Sequence, residues 1–173
     1  MSNADCYGAK TVELQWGDWF VGDATHRIAT LLGSCISVTL WHPRRRIGAM
    51  SHFVLPTRGA AKDGGLDPRF GDEALMLQAE ALARLGVDIA QCEAKLFGGA
   101  NMFPQQFQGS DTVGRQNGEA ARRLLGEFGV RIVSESLYGA GHRRIIFDVS
   151  SGAVWVRHVN TPAPAAPSDR VPA

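Results

Sequence analysis

The amino-terminal part of the chain alternates short apolar runs with turn residues, a pattern that is typical of β-strands. Residues 27–34, 36–41 and 47–55 are rich in β-branched and other apolar side chains, and each run has the length of one strand. Between the last two, the segment PRRR at 43–46 begins with proline, which fixes φ and favours a turn. We therefore expect 36–41 and 47–55 to pair as a β-hairpin.

Two longer segments have apolar positions at the spacing of amphipathic helices. The first covers residues 71–85 and carries two acidic residues in its first turn, where the helix dipole favours negative charge. The second runs from a cap at Asp111 or Thr112 to about residue 128. A glycine follows each segment directly and is expected to end the helix.

The remaining apolar segments read as strands and complete the predicted fold. A strand pattern with a glycine break covers 11–20, and further strands are predicted at 93–97, 130–138, 142–149 and 153–159. The main order is three strands, a helix, a strand, a helix and three strands. This order predicts an α/β (α+β) layered sandwich, in which two main helices pack on mixed or antiparallel β-sheets.

Length and composition indicate one domain flanked by two tails. The chain has 173 residues and is 45% apolar, which suits a single domain with its own core. We expect that domain to cover residues 11–160. Residues 1–10 and the Pro/Ala-rich segment 161–173 are expected to be disordered, because neither can bury much apolar surface.

The charge pattern argues against two classes of partner. The formal net charge is +1 and the basic residues are dispersed, so we expect neither nucleic acid nor an anionic membrane surface as a partner. The chain shows no secretory signal pattern and no apolar run near the ~18 residues that suggest a membrane span. The sequence thus predicts a cytoplasmic protein without membrane insertion.

The three cysteines do not form a recognisable metal or disulfide pattern. Cys6, Cys35 and Cys92 are odd in number and have no CxxC spacing, so we expect free thiols and neither a bound metal nor a cofactor. Only Cys35 follows a small-residue turn at the end of an apolar run. This setting makes it the candidate for thiol chemistry.

Cys35 is followed, one predicted strand later, by His52, and a hairpin would bring the two together. A thiolate attacks carbonyl carbon, and an imidazole either enlarges the thiolate fraction or takes the proton during attack. The alternative is structural, because a cysteine or histidine in an apolar strand is often a buried or hydrogen-bonded core group. The spacing of the two residues leaves both interpretations open.

Six motifs in sequence order resemble the CheD family of chemoreceptor glutamine deamidases, over roughly residues 12–159. They are LLGSCISVTLWHP, IGAMSHFVLP, FGDEAL, KLFGGANMF, VGRQN and GHRRIIFDVSSGAVWVRHV. The resemblance implies a cytoplasmic chemotaxis hydrolase, a protein-glutamine glutaminase that converts selected glutamines of methyl-accepting receptors to glutamate and ammonia. It also implies a fold similar to the catalytic domain of deamidase toxins, and a CheC-type phosphatase as a second partner besides the receptors.

The resemblance assigns three catalytic roles. Cys35 corresponds to the family nucleophile, His52 to its base and Thr30 to the threonine that orients the imidazole. Thr30 and Cys35 are five positions apart, so in a continuous strand they would face opposite sides. The assignment therefore requires a turn or bulge near Gly33.

Two further sets of residues complete the expected site. We expect backbone N–H groups of the turn, at Gly33 and Ser34, to stabilise an oxyanion, because small residues allow close approach of a substrate. With the family in view, a substrate rim is placed at six positions: Phe97, Gly98, Gly99, Met102, Arg115 and Asn117.

Two other functions compete with receptor deamidation. The protein could be an adaptor that binds receptors or a CheC-like protein with little or no catalysis. It could also be a different thiol hydrolase, such as a peptidase or a small-molecule amidase. The activity of a variant without the Cys35 thiol would distinguish an adaptor from a catalytic protein. Analysis of the product would distinguish a different thiol hydrolase from a receptor deamidase.

Overall fold

A computed structural model of the chain describes residues 8–60, 64–104 and 112–159. The predicted tail at 161–173 and the alternative cap Asp111 lie outside these residues, as does most of the predicted tail at 1–10. The first strand already begins at Lys10, the last residue assigned to that tail.

Nine strands, two α-helices and one short 3-10 helix form within the described ranges. None of these helices is long and apolar enough to cross a lipid bilayer. In chain order the elements are β1 (Lys10–Glu13), β2 (Trp19–Gly22), β3 (His26–Leu32), β4 (Ile36–His42), β5 (Ile47–Phe53), α1 (Gly71–Arg84), the 3-10 helix (Ile89–Gln91), β6 (Glu93–Gly98), α2 (Val113–Glu127), β7 (Arg131–Leu137), β8 (His142–Asp148) and β9 (Val154–Val159).

One segment differs from the prediction. The pattern at 11–20 forms two strands, β1 and β2, which belong to different sheets. Gly17, between them, has φ +84°, a left-handed conformation that glycine adopts without strain. Thr112 is the cap of α2, since its side chain accepts a hydrogen bond from the backbone N–H of Arg115.

The strands form two mixed sheets, as the fold class predicts. The smaller sheet has the order β1-β3-β8-β9 and the larger sheet the order β2-β5-β4-β6-β7. The β1–β3 and β6–β7 pairs are parallel and the others antiparallel. The predicted β4–β5 hairpin is confirmed, and β8 and β9 also pair as antiparallel neighbours.

The larger sheet is the middle of three layers. Along β4, Ile36, Val38 and Leu40 belong to a core shared with residues of both helices. The alternate residue Trp41 packs against a second core, formed by residues of both sheets. Because successive side chains of a strand point to opposite faces, β4 contributes to both cores. The candidate site residues Cys35 and His52 lie at the end of the inter-sheet layer.

Candidate active site

The chain crosses from one sheet to the other immediately before Cys35. Strand β3 of the smaller sheet ends at Leu32, and β4 of the larger sheet begins at Ile36. Residues 33–35 form the bend between them, at the place where the Thr30 assignment requires a turn. Since the two strands belong to different layers, Thr30 and the residues after the bend can face one another.

Strand pairing places His52 on the same side of the larger sheet as Cys35. His52 pairs with Ser37 in the antiparallel β4–β5 ladder, and Cys35 lies two residues before Ser37. Residues separated by two positions share a face, so Cys35 and His52 are diagonal neighbours. Both side chains line one cavity of about 410 Å³ at the end of the inter-sheet layer.

Thr30 fixes the orientation of the imidazole. Its Oγ1 lies 2.8 Å from Nδ1 of His52 and also 2.8 Å from the carbonyl oxygen of Leu14, to which it donates. A hydroxyl has one proton, so Oγ1 must accept from Nδ1–H of the neutral imidazole. This assigns the tautomer, and it leaves the lone pair on Nε2 as the available base.

Burial keeps both candidate reactive groups neutral. The pKa of His52 falls from 6.5 to about 4, mainly because burial disfavours the charged imidazolium, while the nearby Asp18 carboxylate opposes the shift. Burial also raises the pKa of the Cys35 thiol. At neutral pH the site therefore holds a thiol and a neutral imidazole. This favours transfer of the thiol proton during attack over a preformed thiolate.

The segment between β1 and β2 contacts Thr30 and the backbone of His52. Besides Leu14, which accepts from Thr30, Gly17 N–H donates to the carbonyl oxygen of His52 at 2.7 Å. His52 N–H donates to the carbonyl oxygen of Asp18 at 2.9 Å. Sequence reasoning assigned this segment no role, because its only signal was a glycine break. The contacts depend on backbone groups, which carry no residue signature.

A glycine-rich connection holds the bend that carries Cys35. Gly99 N–H donates to the carbonyl oxygen of Cys35 and Ala100 N–H to that of Gly33, each at 2.9 Å. Gly98 has φ +109°, and a Cβ atom there would lie 2.1 Å from the carbonyl oxygen of Cys35. Glycine is thus required at position 98 for this close approach.

The six positions predicted as a substrate rim lie in different surroundings. Met102 lines the Cys35 cavity, whereas Gly99 and Arg115 line a separate cavity of about 150 Å³. Phe97 is buried in the inter-sheet core, and Gly98 and Asn117 are buried as well. Phe97 is 3% exposed and Asn117 is fully buried, so their side chains contribute little or nothing to the surface around the cavity.

Two large apolar side chains at the cavity were missed by sequence reasoning. Trp16 and Leu31 line it and are 64% and 49% exposed, respectively. Leu31 follows Thr30 in β3, so strand alternation turns it outward. Exposed apolar groups beside the Cys35 thiol suit a binding partner with an apolar surface of its own.

The other described cysteine has a different setting. Cys92 is buried in the core between the larger sheet and the helices, and burial raises the pKa of its thiol to about 11. Among the described residues, no cluster of three or more histidine, cysteine or acidic side chains could hold a metal ion. Cys6 lies outside the described residues.

Comparison with protein families matches this chain to a chemotaxis family. Residues 54–158 match the family model described as CheD chemotactic sensory transduction. The matched range begins two residues after His52 and includes both helices and, except for Val159, the last four strands.

Individual relatives match more of the chain. It is 58% identical over 148 residues to "Probable chemoreceptor glutamine deamidase CheD 2" of Albidiferax ferrireducens, covering 84% of this chain and 86% of the relative. It is 37% identical over 150 residues to the protein of Thermococcus kodakarensis named "Probable chemoreceptor glutamine deamidase CheD", covering 86% and 93%. Among solved structures, the hypothetical protein YfiH of Bacillus licheniformis matches with a TM-score of 0.49 and 12% identity, over 80% of this chain and 70% of that one.

Proposed function

Because the chain belongs to the CheD family of chemoreceptor glutamine deamidases, we propose that it hydrolyses the side-chain amide of glutamines in chemoreceptors. The products are glutamate and ammonia. The observation that carries the proposal is the arrangement of Thr30, His52 and Cys35, in which an oriented neutral imidazole and a thiol line one cavity. An adaptor without catalysis has no need of that arrangement.

The first step forms a covalent bond between enzyme and substrate. Nε2 of His52 takes the proton of the Cys35 thiol as the sulfur attacks the carbon of the glutamine amide. The imidazolium that results keeps its Nδ1–H bond to Oγ1 of Thr30, which holds the ring in place. The amide oxygen then carries a negative charge.

The bend that carries Cys35 supplies donors for this oxyanion. No protein group among the described residues outside Cys35 itself accepts the backbone N–H of Ser34 or of Cys35. Both residues line the cavity, so these groups can donate to the oxyanion without first breaking another backbone bond.

Collapse of the intermediate releases ammonia. Nε2–H of His52 gives its proton to the amide nitrogen, the C–N bond breaks and a thioester with Cys35 remains. His52 then takes a proton from a water molecule that attacks the thioester. When the C–S bond breaks, that proton returns to sulfur and the product is glutamate.

The proposal extends to location and partners. The resemblance implies a cytoplasmic protein that acts on receptors. It also implies a CheC-type phosphatase as a further partner. Both extensions rest on family membership rather than on the site. Co-purification with a CheC-type protein from the same cell is the direct measurement for the second.

The function is tested with a purified receptor cytoplasmic fragment and ammonia detection. Incubation with the protein is expected to raise the intact mass of the fragment by about one unit per modified glutamine, with one ammonia released for each. Replacing the modified glutamines by alanine should remove both signals. If neither signal appears with several receptors from the same cell, the adaptor is favoured instead.

Thr30→Val is expected to lower kcat for glutamine hydrolysis by about 10-fold to 100-fold with little change in KM, because Nδ1–H of His52 loses its acceptor and the tautomer is no longer fixed. Steady-state ammonia release measures both constants. Thr39→Val is the matched control, since Thr39 is equally buried, on β4, and has no hydrogen bond to His52 in the described structure. Equal activity of the two variants would contradict the role of Thr30.

A further inference from the structure

We propose that Asn117 is a positioning residue that orients the oxyanion-binding peptide of the site, a role that rests on the proposed function. Asn117 lies on α2 and is fully buried. Its Nδ2 donates to the carbonyl oxygen of Ser34 at 3.2 Å and to that of Val54 at 2.8 Å. One side chain thus connects the bend before Cys35 with the end of the strand that carries His52.

Asn117 completes a set of three donors to the bend. The carbonyl oxygens of Gly33 and Cys35 accept backbone N–H groups from the connection that follows β6. The carbonyl oxygen of Ser34, between them, accepts only from Asn117 in the described structure. The orientation of the Ser34–Cys35 peptide therefore depends on a side chain, while backbone groups hold its two neighbours.

The orientation of that peptide decides where the N–H of Cys35 points. In a trans peptide, the C=O of one residue and the N–H of the next lie on opposite sides. Because Asn117 holds the Ser34 oxygen towards α2, Cys35 N–H points away from α2, to the side on which Cys35 lines the cavity. Rotation of this peptide would present an oxygen to the oxyanion in place of a donor.

The chemistry of the amide makes the assignment specific. Two carbonyl oxygens face the same atom of Asn117, so that atom must be the nitrogen, which has two protons to donate. Oδ1 is buried and has no hydrogen-bond partner among the described residues. Burial of an unpaired acceptor is costly, which indicates that the side chain is held for its two donors.

Asn117→Ala is expected to lower kcat for glutamine hydrolysis by about 10-fold to 100-fold with little change in KM, in line with weakening one oxyanion donor. Alkylation of Cys35 by iodoacetamide develops no oxyanion, so its rate should stay within about twofold of the unsubstituted protein. Measuring both rates on the same preparation separates oxyanion stabilisation from reactivity of the thiol.

Gln78→Ala is the matched control for the loss of a buried helix amide. Gln78 lies on α1, is fully buried, and its side-chain amide has no partner among the described residues. Its variant should keep both rates, whatever its effect on thermal stability. Should Asn117→Ala not fold, Asn117→Thr keeps similar volume and one donor, and the same two rates are read from it.

Three results would overturn the proposal. One is an unchanged kcat in a folded Asn117 variant, and another is an equal fall in kcat and alkylation rate. The third is an equal loss of kcat in Gln78→Ala. Failure of the proposed function itself looks different, because the unsubstituted protein would then release no ammonia from any receptor.

Discussion

Cys35→Ala should reduce glutamine hydrolysis to the uncatalysed rate, a fall of at least about 10⁴-fold, because no thioester can form without the sulfur. The side chain is only partly buried at the end of the inter-sheet layer, so the free energy of unfolding should fall by no more than about 1 kcal/mol. Ammonia release and the mass of the receptor fragment report the first effect, and urea unfolding reports the second.

Cys92→Ala is the matched control, and it should affect stability more than activity. Cys92 is 2% exposed in the helix-side core, so its removal leaves a small cavity and costs about 1 kcal/mol or more of stability. Activity per folded molecule should be unchanged. Ammonia release by Cys35→Ala at a rate close to that of the unsubstituted protein would refute the nucleophile assignment.

His52→Gln should lower kcat by about 10³-fold, because glutamine can hydrogen-bond to Thr30 but cannot take the thiol proton.

The unsubstituted protein should keep its activity to unusually low pH. Since the pKa of His52 is about 4 instead of 6.5, the base is lost only near pH 4. The acid limb of the kcat profile measures this, and a midpoint near 6.5 would contradict the assigned environment of the imidazole.

His52→Gln should also change how the free energy of unfolding depends on pH. The pKa of His52 is lower in the folded chain than in the unfolded chain, so the unfolded chain binds the extra proton between pH 6.5 and about 4. The contribution of neutral His52 to the free energy of unfolding is therefore complete above this pH window. It is lost as the pH falls through the window, by about 3 kcal/mol in all. His52→Gln should lack this loss.

Chemical unfolding of both proteins at several pH values measures the difference. Carboxylates titrate in the same range in both chains, so their contribution cancels in the comparison. Parallel stability curves for the two proteins would show that His52 is not buried as a neutral imidazole.

The sequence alone determined most elements and singled out Cys35 and His52 as candidate site residues. Periodic apolar positions, together with glycine, proline and acidic residues at the ends of elements, predicted the boundaries of α1, α2 and the strands from β3 onward. These boundaries agree with the structure within about two residues. The turn at 43–46 predicted the hairpin, and the register seen in the structure places His52 diagonally opposite Cys35. These features depend on residues close together in the chain.

The tertiary structure decided everything that depends on the meeting of distant segments. It divided 11–20 between two sheets, brought Thr30 to His52 across the inter-sheet layer, and buried Asn117 against the Cys35 bend. Alternation along a strand tells which side a residue faces, but not which layer lies opposite. Every residue has a backbone carbonyl group, so residue types do not show which carbonyls accept hydrogen bonds from Thr30 and Asn117. Only the packed layers could reveal them.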